Sequence, residues 1–532
     1  MASQDLAKKP QFEHTEDADK TSVDGGSQAE KKFQDEMPDF DDSIEETAPS
    51  KAVWLITFTV AMGGFLFGYE TGVISAVLVT LSDDLGHPLT TSESELITSL
   101  TSGGALVGAV IAGLMADKFG RKAGIYVGCA LFLIGSVIWA SSFSIPQMSV
   151  ARFTVGLGVG SAAMIIPLYI GELAPARHRG RMIAFDNMSV TLGQLVSYAL
   201  GAAFTNVPNG WRYMVAVGGV PPIILAILLP WCPESPRQLF SHGKIEEGTK
   251  VIARVYPNAT EAQVKAKVDR ILWNIEAEAE IVANKSLLWQ FKQLHCVPSN
   301  LRALICACAV MAISQLGGFN TLMYYSGTLF SLVGFDKPTA VSIVVGGTNF
   351  VFTILNMFII DKVGRRRILL VTVLGMAISM VVAAVAFHWI PISRDLVLQS
   401  SSVNWAGILV LVTIIFYVAF FASGVATIGW VGTELLPLEV RALGTMMNTV
   451  TCWGCNIIIA STFLSMMKGM TPSGAFGFYA GICFFGWIFV IICYPEVKGL
   501  PLEEVSQVFE HGFGVRRAAQ IQKARKMAQT GV

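Results

Sequence analysis

Apolar stretches of the roughly 20 residues that a helix needs to cross a bilayer recur along this chain. They fall at 53–79, 95–116, 123–142, 147–171, 182–206 and 212–231, and again at 301–333, 339–361, 367–389, 404–436, 441–467 and 474–494. In hydrocarbon each backbone N–H and C=O must be bonded internally, so repeats of this kind fold as helices. Of the residues, 53% are hydrophobic and 14% charged, against about 25% charged in soluble domains. The expected fold is therefore an all-α membrane protein of about twelve transmembrane helices. Fifty glycines suit close contacts between such helices, because a missing side chain lets backbones approach.

The rest of the chain is polar. Residues 1–50 are rich in Asp, Glu, Lys, Ser and Gln and cannot bury enough apolar surface to offset ordering entropy, so they read as a disordered acidic tail. No apolar stretch precedes Val53, and the first span is expected to serve as the insertion signal. Residues 51–231 hold one group of six spans and 301–494 a second. Between them, 232–300 alternates charged and apolar residues at helical spacing, which predicts short amphipathic helices on the membrane surface. Residues 495–532 form a second polar tail.

Lys118, Arg121 and Lys122, then Arg177, Arg179 and Arg181, then Lys362, Arg365, Arg366 and Arg367 occupy loops that fall on one side of a twelve-span path. The opposite loop 82–95 has no Lys or Arg. That bias puts both termini and the middle stretch in the cytoplasm. A net charge of -1 gives no general attraction to nucleic acid. The nine cysteines lack metal-ligand spacing. With no nucleophile–base set and no phosphate loop either, neither an enzyme, a cofactor nor a metal site is expected.

The two groups of spans repeat one another. Asp117-Lys-Phe-Gly-Arg-Lys122 after the second span returns as Asp361-Lys-Val-Gly-Arg-Arg366 after the eighth. Glu172 with Arg179 after the fourth returns as Glu434 with Arg441 after the tenth, and Pro233-Glu-Ser-Pro-Arg237 is answered by Pro495-Glu-Val-Lys-Gly499. Paired halves enclosing a site near the midplane are how many transporters alternate access. The recurring acids are expected to pair with the arginines at neighbouring helix ends and to clamp one side of a gate, with Asp117, Arg121, Glu172, Arg179, Asp361, Arg365, Glu434 and Arg441 as the gating set. The positive-inside rule alone accounts for the basic residues but not for the acids.

These motifs, with Gly68-Tyr-Glu-Thr-Gly72, Arg152 followed by Gly156, Gly158 and Gly160, and Gln315–Tyr325, resemble the sugar porters of the major facilitator superfamily. The match runs across nearly the whole membrane part. Leu294–Ala303, Tyr325-Ser-Gly-Thr328 and Gly347-Thr-Asn-Phe350 look most like fungal myo-inositol transporters. The resemblance implies two six-helix bundles, a cytoplasmic helical segment between them, and inward, often proton-coupled, transport of a sugar or polyol through the plasma membrane by a monomer.

Glu70 lies inside an apolar span, and an ionisable group there is a functional candidate by default. Arg152, early in the fourth span, is its natural counter-ion. The pair is either proton-coupling machinery or a fixed structural pair. Solute hydroxyls need partners that both give and accept hydrogen bonds, as amides do. Gln194, Gln315, Asn320, Asn349 and Asn456 are amides within spans, and by resemblance they match solute-contacting positions. Each could instead join helix to helix. Trp430, Phe319, Tyr324 and Tyr325 are aromatic candidates for the apolar face of a polyol ring, Trp430 by motif, with Tyr324 and Tyr325 as alternative gate residues. Ser314, Gly429 and Cys452 depart from the family pattern and leave the identity of the solute open. Loss of transport in favour of nutrient sensing is a further alternative, as is passive movement or export of another metabolite.

Overall fold

The computed structural model describes residues 38, 40–41, 43–283, 286–399, 403–498, 505, 508–510 and 512–530. Twelve helical spans follow one another. They are α1 (Lys51–Thr80), α2 (Thr91–Phe119), α3 (Arg121–Ala140), α4 (Ile145–Leu173), α5 (Ala176–Phe204), α6 (Gly210–Gly218 continued by Val220–Leu228), α7 (Pro298–Leu316 continued by Phe319–Val333), α8 (Pro338–Val363), α9 (Arg365–His388) and α10 (Trp405–Ser423 continued by Val425–Val431). One long helix, Leu438–Cys493, is broken by non-helical backbone at Met470 and Thr471, just before Pro472, and so supplies both α11 (438–469) and α12 (472–493).

Among the described residues, ten helices are able to cross a membrane by length and composition alone, among them Val440–Cys493 as a single piece. The Met470–Thr471 break makes that piece two. Ala176–Phe204 matches its neighbours in length but is not in that apolar set; it begins with Arg177, Arg179 and Arg181 and is polar further on, with Asp186, Asn187, Gln194 and several Ser and Thr. The chain is thus a multi-pass membrane protein.

Local chemistry sets several helix ends. Thr90 and Glu93 close a reciprocal capping box at the start of α2, satisfying donors that a helix start leaves open. Pro298 and Pro338 begin α7 and α8, where a missing N–H costs nothing.

The two ends of the bundle differ. The α2–α3 and α8–α9 turns carry the arginines and form the basic end; the 82–90 and 334–337 connections lie at the opposite end, poorer in Lys and Arg and called the charge-poor end below. Helices Pro236–Ser241, Ile245–Val255, Glu261–Ala283 and Leu287–Cys296 fill the stretch between the halves. The buried residues Val251, Ile252, Val255, Val264 and Val268 join a core with Val53, Ile56, Ile165 and Tyr169 at the basic end.

The end of the acidic tail departs from the disorder expected over 1–50. Ser43–Glu46 forms a 3-10 turn with Ile44 fully buried. Glu45 Oε1 accepts from Lys267 Nζ at 2.6 Å and from Tyr256 Oη at 2.9 Å, and Oε2 accepts from Ala176 N–H at 2.9 Å. Composition averages over a segment and misses four residues that pack on a neighbour. Residues 1–37 lie outside the described residues.

Candidate functional site

Glu70 and Arg152 meet inside the first six spans. Arg152 Nη1 lies 3.4 Å from Glu70 Oε2, and each side chain is 1% exposed. Arg152 Nε donates to the carbonyl of Ile97 at 3.2 Å, and its guanidinium sits 4.4 Å from the Trp139 ring centroid. Four spans thus hold the pair. In so dry a place an ion pair survives only when further hydrogen bonds and packing support both charges.

The amides form two clusters. In one, Asn349 Nδ2 on α8 donates to Gln194 Oε1 on α5 at 2.7 Å, and Gln194 Nε2 donates to Thr71 Oγ1, beside Glu70, at 3.2 Å. In the other, Gln315 Oε1 accepts from Asn320 Nδ2 at 2.6 Å and from Asn456 Nδ2 at 3.3 Å. Asn456 Oδ1 accepts from Tyr324 Oη at 3.0 Å and from Ser102 Oγ on α2 at 2.8 Å. Both clusters bridge the halves, and four of the five amides are buried. They satisfy one another.

The hydrogen bonds described between the halves run from these clusters to the charge-poor end. Ser75 Oγ lies 2.9 Å from Ser326 Oγ and accepts from Gly327 N–H at 2.8 Å. Tyr198 Oη donates to the Met323 carbonyl at 2.6 Å, and Thr205 Oγ1 lies 2.9 Å from Thr339 Oγ1. Glu95, buried near the start of α2, accepts from Ser465 N–H at 2.7 Å and Ser465 Oγ at 2.6 Å on α11. Toward the basic end the contact is apolar: Trp453 on α11 packs 5.7 Å from Phe67.

The acid–arginine motifs at the basic end work within one half rather than across the two. Arg121 forks onto Glu172 at 2.8 and 2.9 Å and reaches Asp117 at 3.2 Å; a two-pronged carboxylate pair of this kind is both strong and specific in angle. Arg121 Nη1 also donates to Gln238 Oε1. The sequence grouped Glu172 with Arg179; instead Glu172 turns to Arg121, and Arg179 is exposed. Beneath this pair, Glu234 accepts from the N–H groups of Arg121 and Lys122 at 3.1 and 3.2 Å. In the second half Glu496 accepts from the N–H groups of Arg365 and Arg366 at 3.2 and 3.0 Å. Gly120 at φ +95° and Gly364 at φ +101° make the matching turns, and a Cβ at either would press on the glutamate, at 2.7 and 2.6 Å. Arg441 donates to the Leu436 carbonyl at 2.8 Å. The side chains of Asp361 and Glu434 lie outside the described residues.

A family model, "Sugar (and other) transporter", matches residues 56–509. The chain belongs to the sugar transporter family. It is 43% identical over 482 residues to Myo-inositol transporter 1 of Cryptococcus neoformans, covering 90% of this chain and 85% of that one. It is 42% identical to Myo-inositol transporter 1 of Saccharomyces cerevisiae, covering 88% and 81%. Among solved structures, the major facilitator superfamily proton:xylose symporter XylE bound to 6-bromo-6-deoxy-D-glucose superposes with a TM-score of 0.70 at 26% identity, covering 86% of this chain and 99% of that one. The inward-open xylose transporter XylE from E. coli gives 0.70 at 25%, covering 86% and 100%.

The aromatic candidates of this sugar transporter separate. Tyr324 joins the Asn456 cluster. Tyr325 Oη is tied to the Ala460 carbonyl at 2.7 Å, and its ring stacks on Phe463. Phe319 lies flat on Phe421 at 3.7 Å between centroids. Trp430 on α10 is 37% exposed and takes no part in the amide clusters described above. Sequence reasoning missed Glu95 and Asp186, although both are acids within helices that cross the membrane.

Proposed function

We propose that this sugar transporter carries myo-inositol or a closely related polyol across the plasma membrane together with protons, with its basic end and both termini in the cytoplasm. One observation carries the reading: amides from both halves meet at buried clusters, one of which reaches Thr71 beside Glu70. Polyol hydroxyls donate and accept, and Gln194, Gln315, Asn320, Asn349 and Asn456 would exchange their mutual bonds for bonds to solute. Trp430 would cover the apolar face of the ring. The myo-inositol transporters among the relatives and the proton symport named for XylE support the solute class and the coupling.

In this orientation the conformation is closed toward the outside. Opening it would break the bonds at Ser75, Thr205 and Glu95, while Tyr324 and Tyr325 move with α7. Arg121–Glu172 and Asp117, together with Arg179, Asp361, Arg365, Glu434 and Arg441, would keep each half stiff at its basic end as it rocks.

The test is labelled myo-inositol uptake in a host without its own inositol and hexose carriers, with a polyol competition panel. Uptake should rise with external acidity. Glu70→Gln should abolish accumulation and leave exchange of solute across the membrane intact. Arg152 is fixed by Ile97 and Trp139, which favours passive facilitation around a permanent ion pair as the second reading. Accumulation that survives Glu70→Gln would select it.

A further inference from the structure

Asp186 is the acid in the membrane part that the reading above leaves without a task. It lies on α5, buried to 5% exposure, and its Oδ1 is sealed from solvent with no hydrogen-bond partner among the described residues. The face of α5 that bears it packs on glycines of α1. A Cβ at Gly64 would collide with Asp186 Oδ1, one at Gly68 with the Val190 carbonyl, and one at Gly72 with Ser197 Oγ. The seam therefore carries Asp186, Gln194 and Ser197 in one row, and the carboxyl lies against bare helix backbone.

Among the described residues, its surroundings offer no compensating charge. On α1 the ionisable groups nearest in sequence are Lys51 at the start of the span and Tyr69 and Glu70 further on. Tyr69 donates to the Met214 carbonyl, and Glu70 is held by Arg152 from α4. Glu172 on α4 belongs to Arg121, and Arg212 on α6 donates to the Ala140 carbonyl. On α5 itself Arg177, Arg179 and Arg181 are exposed, and α8 brings Lys362, also exposed, at its basic end. An ionised carboxylate without cation or donor is among the costliest groups to keep out of water, and such a group inside a membrane marks an ion or proton path by default.

Position adds direction. Asp186 stands eight residues, about 12 Å along a helix, from Gln194 toward the basic end, beyond the hydrogen bonds that join the halves. Gly64, which faces it, precedes Glu70 by six residues, about 9 Å. The row Glu70, Gln194, Asp186 thus descends from the amide clusters toward the basic face.

We propose that Asp186 is a second proton-carrying carboxyl, which takes a proton from water on one side of the membrane and returns it to water on the other in each cycle. The inference rests on the proton-coupled reading above. The experiment uses the full chain reconstituted in liposomes, with myo-inositol uptake and internal pH followed together. The wild type should move two protons per solute and Asp186→Asn one, so the ratio halves. Solute counterflow, which needs no net proton movement, should persist in the variant and shows that it is folded; Asp186→Ser serves in its place if counterflow is lost. A ratio unchanged by the substitution overturns the proposal and leaves proton coupling standing. A wild type that moves no protons with solute overturns both.

Discussion

The two halves share a backbone plan and differ in chemistry. Among the described residues, the buried charged side chains are Glu70, Glu95, Arg121, Arg152 and Asp186, and all belong to α1–α6. The buried polar residues of α7–α12 are neutral, with Gln315, Asn349, Asn356, Asn448 and Asn456 as its amides. A charge at bilayer depth costs about 2.5–3.5 kcal/mol even on insertion scales, so a chain does not spread such groups at random. Buried ionisable groups are thus confined to one half, while buried amides line both, Gln194 in the first half meeting Asn349 of the second. Matching turns at Gly120 and Gly364 do not enforce matching function.

The division is easiest to break at Arg152. Arg152→Met should leave Glu70 buried and unpaired, at a cost of about 3–5 kcal/mol, seen as a steep fall in the melting temperature of the purified protein. Melting like wild type would mean that the pair is not a charged one. Glu95 is the charge that touches the other half. Glu95→Gln should weaken each of its two bonds to Ser465 by about 1–1.5 kcal/mol, and a cysteine placed at Ser326 should then label faster from the charge-poor side.

Gly120→Ala and Gly364→Ala sharpen the comparison from its symmetrical side. Each forces a Cβ into a backbone region that costs about 1–3 kcal/mol, and the two losses in thermal stability should be alike. The smallest effect belongs to recognition. Asn349→Ala should remove about 0.5–1.5 kcal/mol of solute binding, raising KM up to about tenfold without moving the pH profile of uptake. A shifted pH profile would blur the split between the halves.

Eleven of the twelve spans are legible in the sequence because each is an apolar run long enough to cross, and the internal repeat marks out the halves. Ala176–Phe204 is found by its position in that count, since its first turns are basic. Glu70 stands out among apolar neighbours. Glu95 does not, because it sits at a span edge and looks like a loop acid, and Asp186 does not, because Arg177 to Arg181 make its helix look polar. The pairing of Arg121 with Glu172, rather than Glu172 with Arg179, depends on α3 and α4 lying side by side. No local pattern carries that. The partnership of amides across the halves is hidden for the same reason: Asn349 and Gln194 are far apart in the chain.

The mutual bonding of those amides has a consequence for discrimination. If solute binds at these amides, as proposed, it meets side chains that already bond one another among the described residues, and it must substitute for those bonds. A ligand missing one hydroxyl separates Asn349 from Gln194 and then leaves an orphaned group behind, a penalty larger than the loss of one contact. On that reading selectivity would come less from attraction than from refusal, and deoxygenated analogues should be turned away more sharply than their size suggests.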